Sequence, residues 1–330
     1  MHPAFSVIFL TTLIGAAQGM FMALVTGQFY SMANLLDPQD SVSFYFSGSV
    51  IVLVLLFGGL IAAVFHLGKP SYFLTRAWRG VTQWRTSWLS RELIALPAFI
   101  LLVAVYALVH YLGWTQPWFV VKGVLPVDAS LLLGLLGTLI SVVLYVSTAM
   151  IYASLRFLQE WHSPLTVANF ILFGLASGFT LSAAFSAWSG VDLVGFYGIW
   201  AVVFTFLAAI TRGFSMLRNN RIKHKSSMRS ALGIRHTKIT QRSMGFMGGS
   251  FNTREYFHGA SDVTLGTVRL FFIVCVFILP VVLLATSNAM ESAYIPILAF
   301  LIQYAGLVVE RWYFFAEAKH PQNLYYQTVG

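Results

Sequence analysis

The sequence predicts an all-α integral membrane protein: one domain over residues 1–330, built as a bundle of eight transmembrane helices with both termini cytoplasmic. Three observations predict it. Charge is scarce, at 9% of 330 residues against roughly a quarter in a soluble domain, while 58% are hydrophobic and mean hydropathy is +0.77. Apolar runs of membrane-crossing length recur along the chain. Basic residues collect in alternate connections between those runs.

A hydrocarbon core of about 30 Å takes about 20 helical residues. Only helices and closed barrels satisfy their backbone amides there, and these runs are apolar all round rather than alternating, which selects helices. The first, Phe5–Met32, is too long for the apolar segment of a signal peptide and opens the bundle. Ser43–Phe65 is the second, and the connection after it holds Lys69, Arg76, Arg79, Arg85 and Arg91. Leu93–Tyr111 and Leu131–Ile151 follow, separated by a loop with Lys122 and Asp128. Arg156 lies between the fourth run and the fifth, Ala168–Ala187. Leu193–Ile210 is the sixth, followed by a basic connection over 211–267. Val268–Thr286 and Tyr294–Val309 complete the set, before a tail with Arg311 and Lys319.

Threaded this way, 19 of the 20 Lys and Arg residues fall on one side, leaving Lys122 alone on the other with Asp37, Asp40, Asp128, Asp192 and Glu291. The positive-inside rule makes the crowded side cytoplasmic. The net charge of +9 is therefore topogenic and implies no nucleic-acid partner; the partner of the bulk surface is membrane lipid. Small residues at Gly15, Gly19, Gly174 and Gly178 are expected to let helices approach closely.

Within the spans so drawn, His110 is the only acid or base apart from Arg269 at the edge of the seventh, whereas ion and proton carriers need such groups at depth. No internal repeat suggests an inverted-repeat transporter. A neutral-solute or small-anion transporter remains as a rival reading. The one cysteine, Cys275, makes no internal disulfide and supplies no Cys₄ set, so any iron–sulfur cluster belongs to another chain. His66 and His110 fall on opposite faces, which argues against a bis-histidine haem.

The chemistry-bearing segment is the turn between the second and third runs. It reads Phe65-His66-Leu-Gly-Lys-Pro70, then Arg76-Ala-Trp78-Arg79, then Trp84-Arg85-Thr-Ser87-Trp88-Leu-Ser90-Arg91-Glu92. Reducing a quinone needs donors to two carbonyl oxygens, a group that exchanges protons near neutrality, and a flat apolar wall. His66 relays a proton, Glu92 conducts protons from the cytoplasm, Arg79 or Arg91 polarises a carbonyl, and Trp78, Trp84 or Trp88 packs on the ring. Helix-end charges, N-cap serines and interfacial tryptophans would also account for the same residues without a ligand.

The strings His66-Leu-Gly-Lys-Pro70 and Trp88-Leu-Ser-Arg-Glu92 resemble the DmsC-type membrane anchors of molybdenum oxidoreductases. So do the opening Met1-His-Pro-Ala-Phe-Ser-Val-Ile-Phe9, Arg156-Phe-Leu-Gln-Glu-Trp-His162 with Pro164-Leu-Thr-Val-Ala-Asn169, and the tail Glu310-Arg-Trp-Tyr-Phe-Phe-Ala-Glu317. The resemblance implies an anchor that is not catalytic for the substrate itself. It exchanges electrons with ubiquinone or menaquinone at residues matching His66 and Glu92, and carries neither haem nor iron–sulfur cluster. Its partners are a catalytic subunit with a molybdenum bis-pterin cofactor and an iron–sulfur subunit with four clusters.

The dimethyl sulfoxide reductases of this family run from quinol to substrate with partners outside the cell. Here the charge count puts the motif turn inside, which resembles the cytoplasm-facing sulfite dehydrogenase branch of a bacterial inner membrane. The basic connection, ending in Met247-Gly-Gly-Ser-Phe-Asn-Thr-Arg-Glu-Tyr-Phe257, is expected to dock the iron–sulfur subunit through Arg242, Phe251, Arg254 and Tyr256.

Overall fold

A computed structural model describes residues 1–66, 79–121, 125–223, 227–236, 238–239, 258–290 and 292–321. The helices are α1 (Phe5–Met32), α2 (Ser47–His66, entered through a π-helical turn, Ser41–Phe46), α3 (Trp88–Tyr111), α4 (Ala129–Ala153), α5 (Pro164–Ser189) and α6 (Val194–Asn220). A short α7 (Met228–Leu232) precedes α8 (Asp262–Ile273) and α9 (Leu279–Met290), which a π-helical turn at Val274–Ile278 joins into one span. α10 (Tyr294–Glu317) is the last. Among the described residues, eight helical stretches are long and apolar enough to cross a membrane, in the order expected. A two-stranded antiparallel ribbon, β1 (Phe119–Val121) with β2 (Leu125–Val127), lies between α3 and α4.

Several helices begin at residues suited to capping them. Ser87 accepts a hydrogen bond from the Ser90 amide, Asp128 from the Leu131 amide, and Ser163 from the Leu165 amide with Pro164 at the first helical position. Of the two candidate cap serines, Ser87 caps α3 and Ser90 lies buried within it. The first span matches its expected bounds, but others run on. α6 continues to Asn220 and α8 starts at Asp262, so the basic connection is shorter at both ends than 211–267. α10 continues to Glu317 rather than stopping at Val309. Hydropathy falls where Arg and Glu enter, yet the helical backbone persists because those side chains are paired within the bundle.

α1 and α5 form the centre, with most of their residues buried. A helix apolar on all sides belongs where it is covered on all sides. The two cross at Gly19, Gly174 and Gly178. A Cβ at Gly178 would overlap the backbone of Gly19 and Met20, and one at Gly19 would overlap the Gly174 carbonyl. Because backbone cannot swing aside, Gly178→Ala should cost about 3 kcal/mol, the upper end of overpacking effects. Gly213→Ala, whose Cβ meets nothing within 4 Å, should be harmless. Thermal unfolding in detergent checks both, and equal melting temperatures would contradict the crossing.

One end of the bundle gathers the termini of several helices. The Met1 nitrogen lies 2.8 Å from the Ala318 carbonyl, and Trp161 Nε1 donates to the Phe314 carbonyl at 2.9 Å. Arg218 donates to the carbonyls of Gln159 and His162 at 2.9 and 3.1 Å. Tyr152, Trp161, Phe170, Phe314 and Phe315 pack there, with Trp161 stacked on Phe314 at 5.3 Å. The opening, the Arg156–Asn169 segments and the Glu310–Glu317 tail thus converge on one end.

Candidate functional site

The motif turn divides its residues between two environments. His66 closes α2, and its side chain and all of Trp78 lie outside the described residues, as do the docking candidates Arg242, Phe251, Arg254 and Tyr256. Arg79 is exposed and its backbone is helical. Trp88 and Arg91, one turn apart on α3, come together: the guanidinium carbon sits 3.9 Å above the indole. Arg91 Nε donates to the Trp84 carbonyl at 2.9 Å and one terminal nitrogen to that of Arg85 at 3.0 Å. Two of its donors therefore brace the turn that holds Trp84.

Glu92 turns the other way. One residue along an α-helix is about 100° of rotation, enough to carry its carboxylate from the interface into the bundle. It is 8% exposed, and Thr148 on α4 donates to one of its oxygens at 2.5 Å. Neither Trp88 nor Arg91 lines the cavity that Glu92 faces. That cavity, partly open and of about 20 Å³, is lined by Glu92 with Thr11, Gly15 and Gln18 of α1, Tyr145 and Thr148 of α4, and Phe170 of α5. A second cavity of about 20 Å³ adjoins it, sharing Thr11, Gly15 and Phe170 and adding Thr12, Ser177 and Arg311. A volume of that size holds one water.

Arg311 belongs to a buried ion cluster, which corrects the expectation that, apart from Arg269 at an edge, His110 is the only acid or base within the spans. Arg212 Nε lies 2.8 Å from Glu310 Oε1, and Arg311 Nε lies 2.6 Å from Glu310 Oε2, so one carboxylate bridges two guanidiniums. Arg212 also reaches Glu317 at 3.4 Å. Glu310 is fully buried and Arg212 1% exposed. Two cations and two anions leave the cluster neutral, the condition under which such groups persist at membrane depth. Arg311 lies over Phe170, Phe173 and Phe314 at 4.4, 5.2 and 4.7 Å.

The cluster is part of a ladder between α6 and α10. Gln303 donates to Thr205 at 3.1 Å, Glu310 pairs with Arg212, and Glu317 sits near Asn219. Both helices place these residues seven apart, which keeps them on one face of each helix. That spacing is the signal in the sequence, and it runs past expected spans that end at Ile210 and Val309.

The opposite end carries a separate network. Tyr106 donates to Gln28 at 2.8 Å, Gln28 to Ser130 at 2.5 Å, and Ser130 to Asp128 at 2.8 Å. His110 lies 3.1 Å from Ser41 Oγ and stacks on Tyr45. Ser41 begins the turn that leads into α2, so His110 and the His66 end of that helix are at opposite faces, as expected. Nearby Asp40, outside the spans, is held below the usual carboxylate range by the Ser43 amide. Among the described residues no three His, Cys, Asp or Glu side chains converge as metal ligands would.

Comparison with known proteins adds two findings. The family described as DMSO reductase anchor subunit (DmsC) matches residues 1–326. The chain is also 55% identical over 330 residues to a sulfite dehydrogenase subunit of Allochromatium vinosum, covering 100% of both chains.

Proposed function

The chain belongs to the DmsC family of membrane anchor subunits, and from that premise we propose that it is the quinone-reactive anchor of a cytoplasm-facing sulfite dehydrogenase. The full-length 55% identity to the Allochromatium vinosum sulfite dehydrogenase subunit carries this reading. It favours the sulfite branch over a dimethyl sulfoxide reductase anchor and over a transporter.

Sulfite and water give sulfate, two electrons and two protons. In this proposal a molybdenum bis-pterin subunit performs that oxidation. An iron–sulfur subunit with four clusters, docked through the basic connection that includes Arg242, Phe251, Arg254 and Tyr256, passes the electrons on. Ubiquinone or menaquinone accepts them beside the α2–α3 turn. His66 and Arg79 meet the headgroup, Trp78 and the Trp88–Arg91 pair form its wall, and Glu92 stands behind it as proton relay. The inward turn of Glu92 onto a water-sized cavity supports the relay role rather than direct headgroup contact. Release and uptake of protons on one side of a bacterial inner membrane make the reaction electroneutral.

The cytoplasmic orientation is supported by the 19 of 20 basic residues grouped on the turn's side. Arg85 is exposed in that turn. An Arg85→Cys variant in a Cys275→Ser background should react with a membrane-impermeant maleimide in inverted vesicles and stay unreactive in intact spheroplasts. Labelling in spheroplasts would overturn the cytoplasmic reading.

A further inference from the structure

We propose that the β1–β2 ribbon lies in the headgroup layer of the bilayer, at the end of the bundle opposite the α2–α3 turn, with lipid against both of its faces. The inference goes beyond the quinone reading and does not depend on it. Side chains alternate between the two faces of a strand, so the neighbours Phe119 and Val120 point to opposite sides. They are 57% and 52% exposed, and Trp118 and Val121 beside them 64% and 42%. Both faces of β1 are therefore largely uncovered. The footing of the ribbon is on β2, where Val127 is 7% exposed and the following Asp128 accepts from the Leu131 amide at 2.8 Å to cap α4.

Water does not suit such a strand. From Tyr111 to Val127 the sequence holds one charge, Lys122. Trp114 is exposed as well. An aromatic side chain presents roughly 150–250 Å², so Trp114, Trp118 and Phe119 together leave on the order of 300 Å² of apolar surface uncovered, enough to mark an interaction site. The neighbouring loops at this end differ, for Asp37, Asp40 and Asp192 stand exposed there as water-facing charges. Lipid is the occupant because the ribbon continues a surface that already faces it. Leu108 and Tyr111 at the end of α3, and Leu132 and Leu135 at the start of α4, are exposed on helices that cross the membrane. Lipid, unlike a flat protein surface, also reaches both faces of the strand at once.

Depth follows from the backbone. The strands pair with each other in the register Phe119↔Val127, Val120↔Pro126 and Val121↔Leu125, and among the described residues no third strand joins them. Unpaired sheet edges do not occur in hydrocarbon. The headgroup layer supplies water to those edges while accepting indole rings, and tryptophan concentrates there in membrane proteins. Held at that level, the ribbon sets the height in the bilayer of α3 and α4, the helices that carry Glu92 and Thr148.

The test places a bimane fluorophore on single cysteines of the full-length chain, in a Cys275→Ser background, reconstituted into phosphatidylcholine vesicles. Phe119→Cys and Val120→Cys sample the two faces of β1, Asp192→Cys an exposed loop, and Leu139→Cys the exposed side of α4 within its span. Emission from both ribbon sites should be shifted to the blue of that from Asp192→Cys. Phospholipid brominated near the headgroup end of its acyl chains should quench the ribbon sites more than phospholipid brominated near the chain ends, and Leu139→Cys should show the opposite order. Aqueous iodide should quench Asp192→Cys strongly and the ribbon sites weakly. Iodide quenching at either ribbon site equal to that at Asp192→Cys overturns the proposal, because that face is then in water. A ribbon site reached by neither iodide nor brominated lipid also overturns it, as a second copy or a partner protein seated on the strand would produce. Quenching strongest from the chain-end bromines overturns the headgroup depth, and the proposal with it.

Discussion

Glu92→Gln should lower quinone turnover by about 100-fold while leaving the complex assembled and its ferricyanide activity intact. The size follows from what general acid–base transfer contributes, on the order of 10²–10⁴. The variant is chosen for its geometry. A glutamine of the same length still offers an oxygen to the Thr148 hydroxyl, which bonds the native carboxylate at 2.5 Å. Packing against Thr11, Gly15 and Phe170 is also preserved, so only the capacity to gain and lose a proton is removed. Because Glu92 is separated from Trp88 and Arg91, the loss should appear in kcat with KM for decylubiquinone little changed. A risen KM at constant kcat would mean that the carboxylate binds the headgroup. Turnover within twofold of wild type would deny it any part in the reaction.

The residues themselves declared the architecture. Scarce charge, long apolar runs and one-sided basic loops suffice for eight spans, because a bilayer excludes nearly every alternative. The packing of α1 on α5 was legible too, since Gly19 and Gly178 have few other uses in a helix at membrane depth. Helix ends were less legible. Hydropathy registers Arg212 and Glu310 as polar and closes the span, yet each is stabilised by a partner 98 positions away. No local average detects such a pair. The same limit applied to the site. The spacing from Trp88 to Glu92 predicts one shared site, whereas the packing of α3 against α4 sends Glu92 inward and leaves Arg91 on Trp88. The seven-residue spacing of Gln303, Glu310 and Glu317, matched by Thr205, Arg212 and Asn219, is the one pattern that would have exposed the cluster in advance.

Glu310→Leu should be the most destabilising single change in the protein, costing about 3–5 kcal/mol. Glu310 is about 10 Å in from the end of α10, seven residues at 1.5 Å each, and its two oxygens serve two guanidiniums. Removing it leaves Arg212, 1% exposed, with a single carboxylate contact, Glu317 at 3.4 Å, beside the rings of Phe272 and Tyr313. Arg311 would keep only its aromatic neighbours. The expected result is a sharp loss of folded protein in membranes and a lowered melting temperature in detergent. Arg212→Met alone should also destabilise, by stranding Glu310 and Glu317 beside a single arginine. The two changes together restore neutrality, with Arg311 and Glu317 remaining, so the double variant should lose clearly less than the two losses added. That shortfall measures the coupling within the cluster and depends on no quinone chemistry. Strict additivity would mean that the side chains act independently, and that neutrality is not what keeps four charges buried at this end of the bundle.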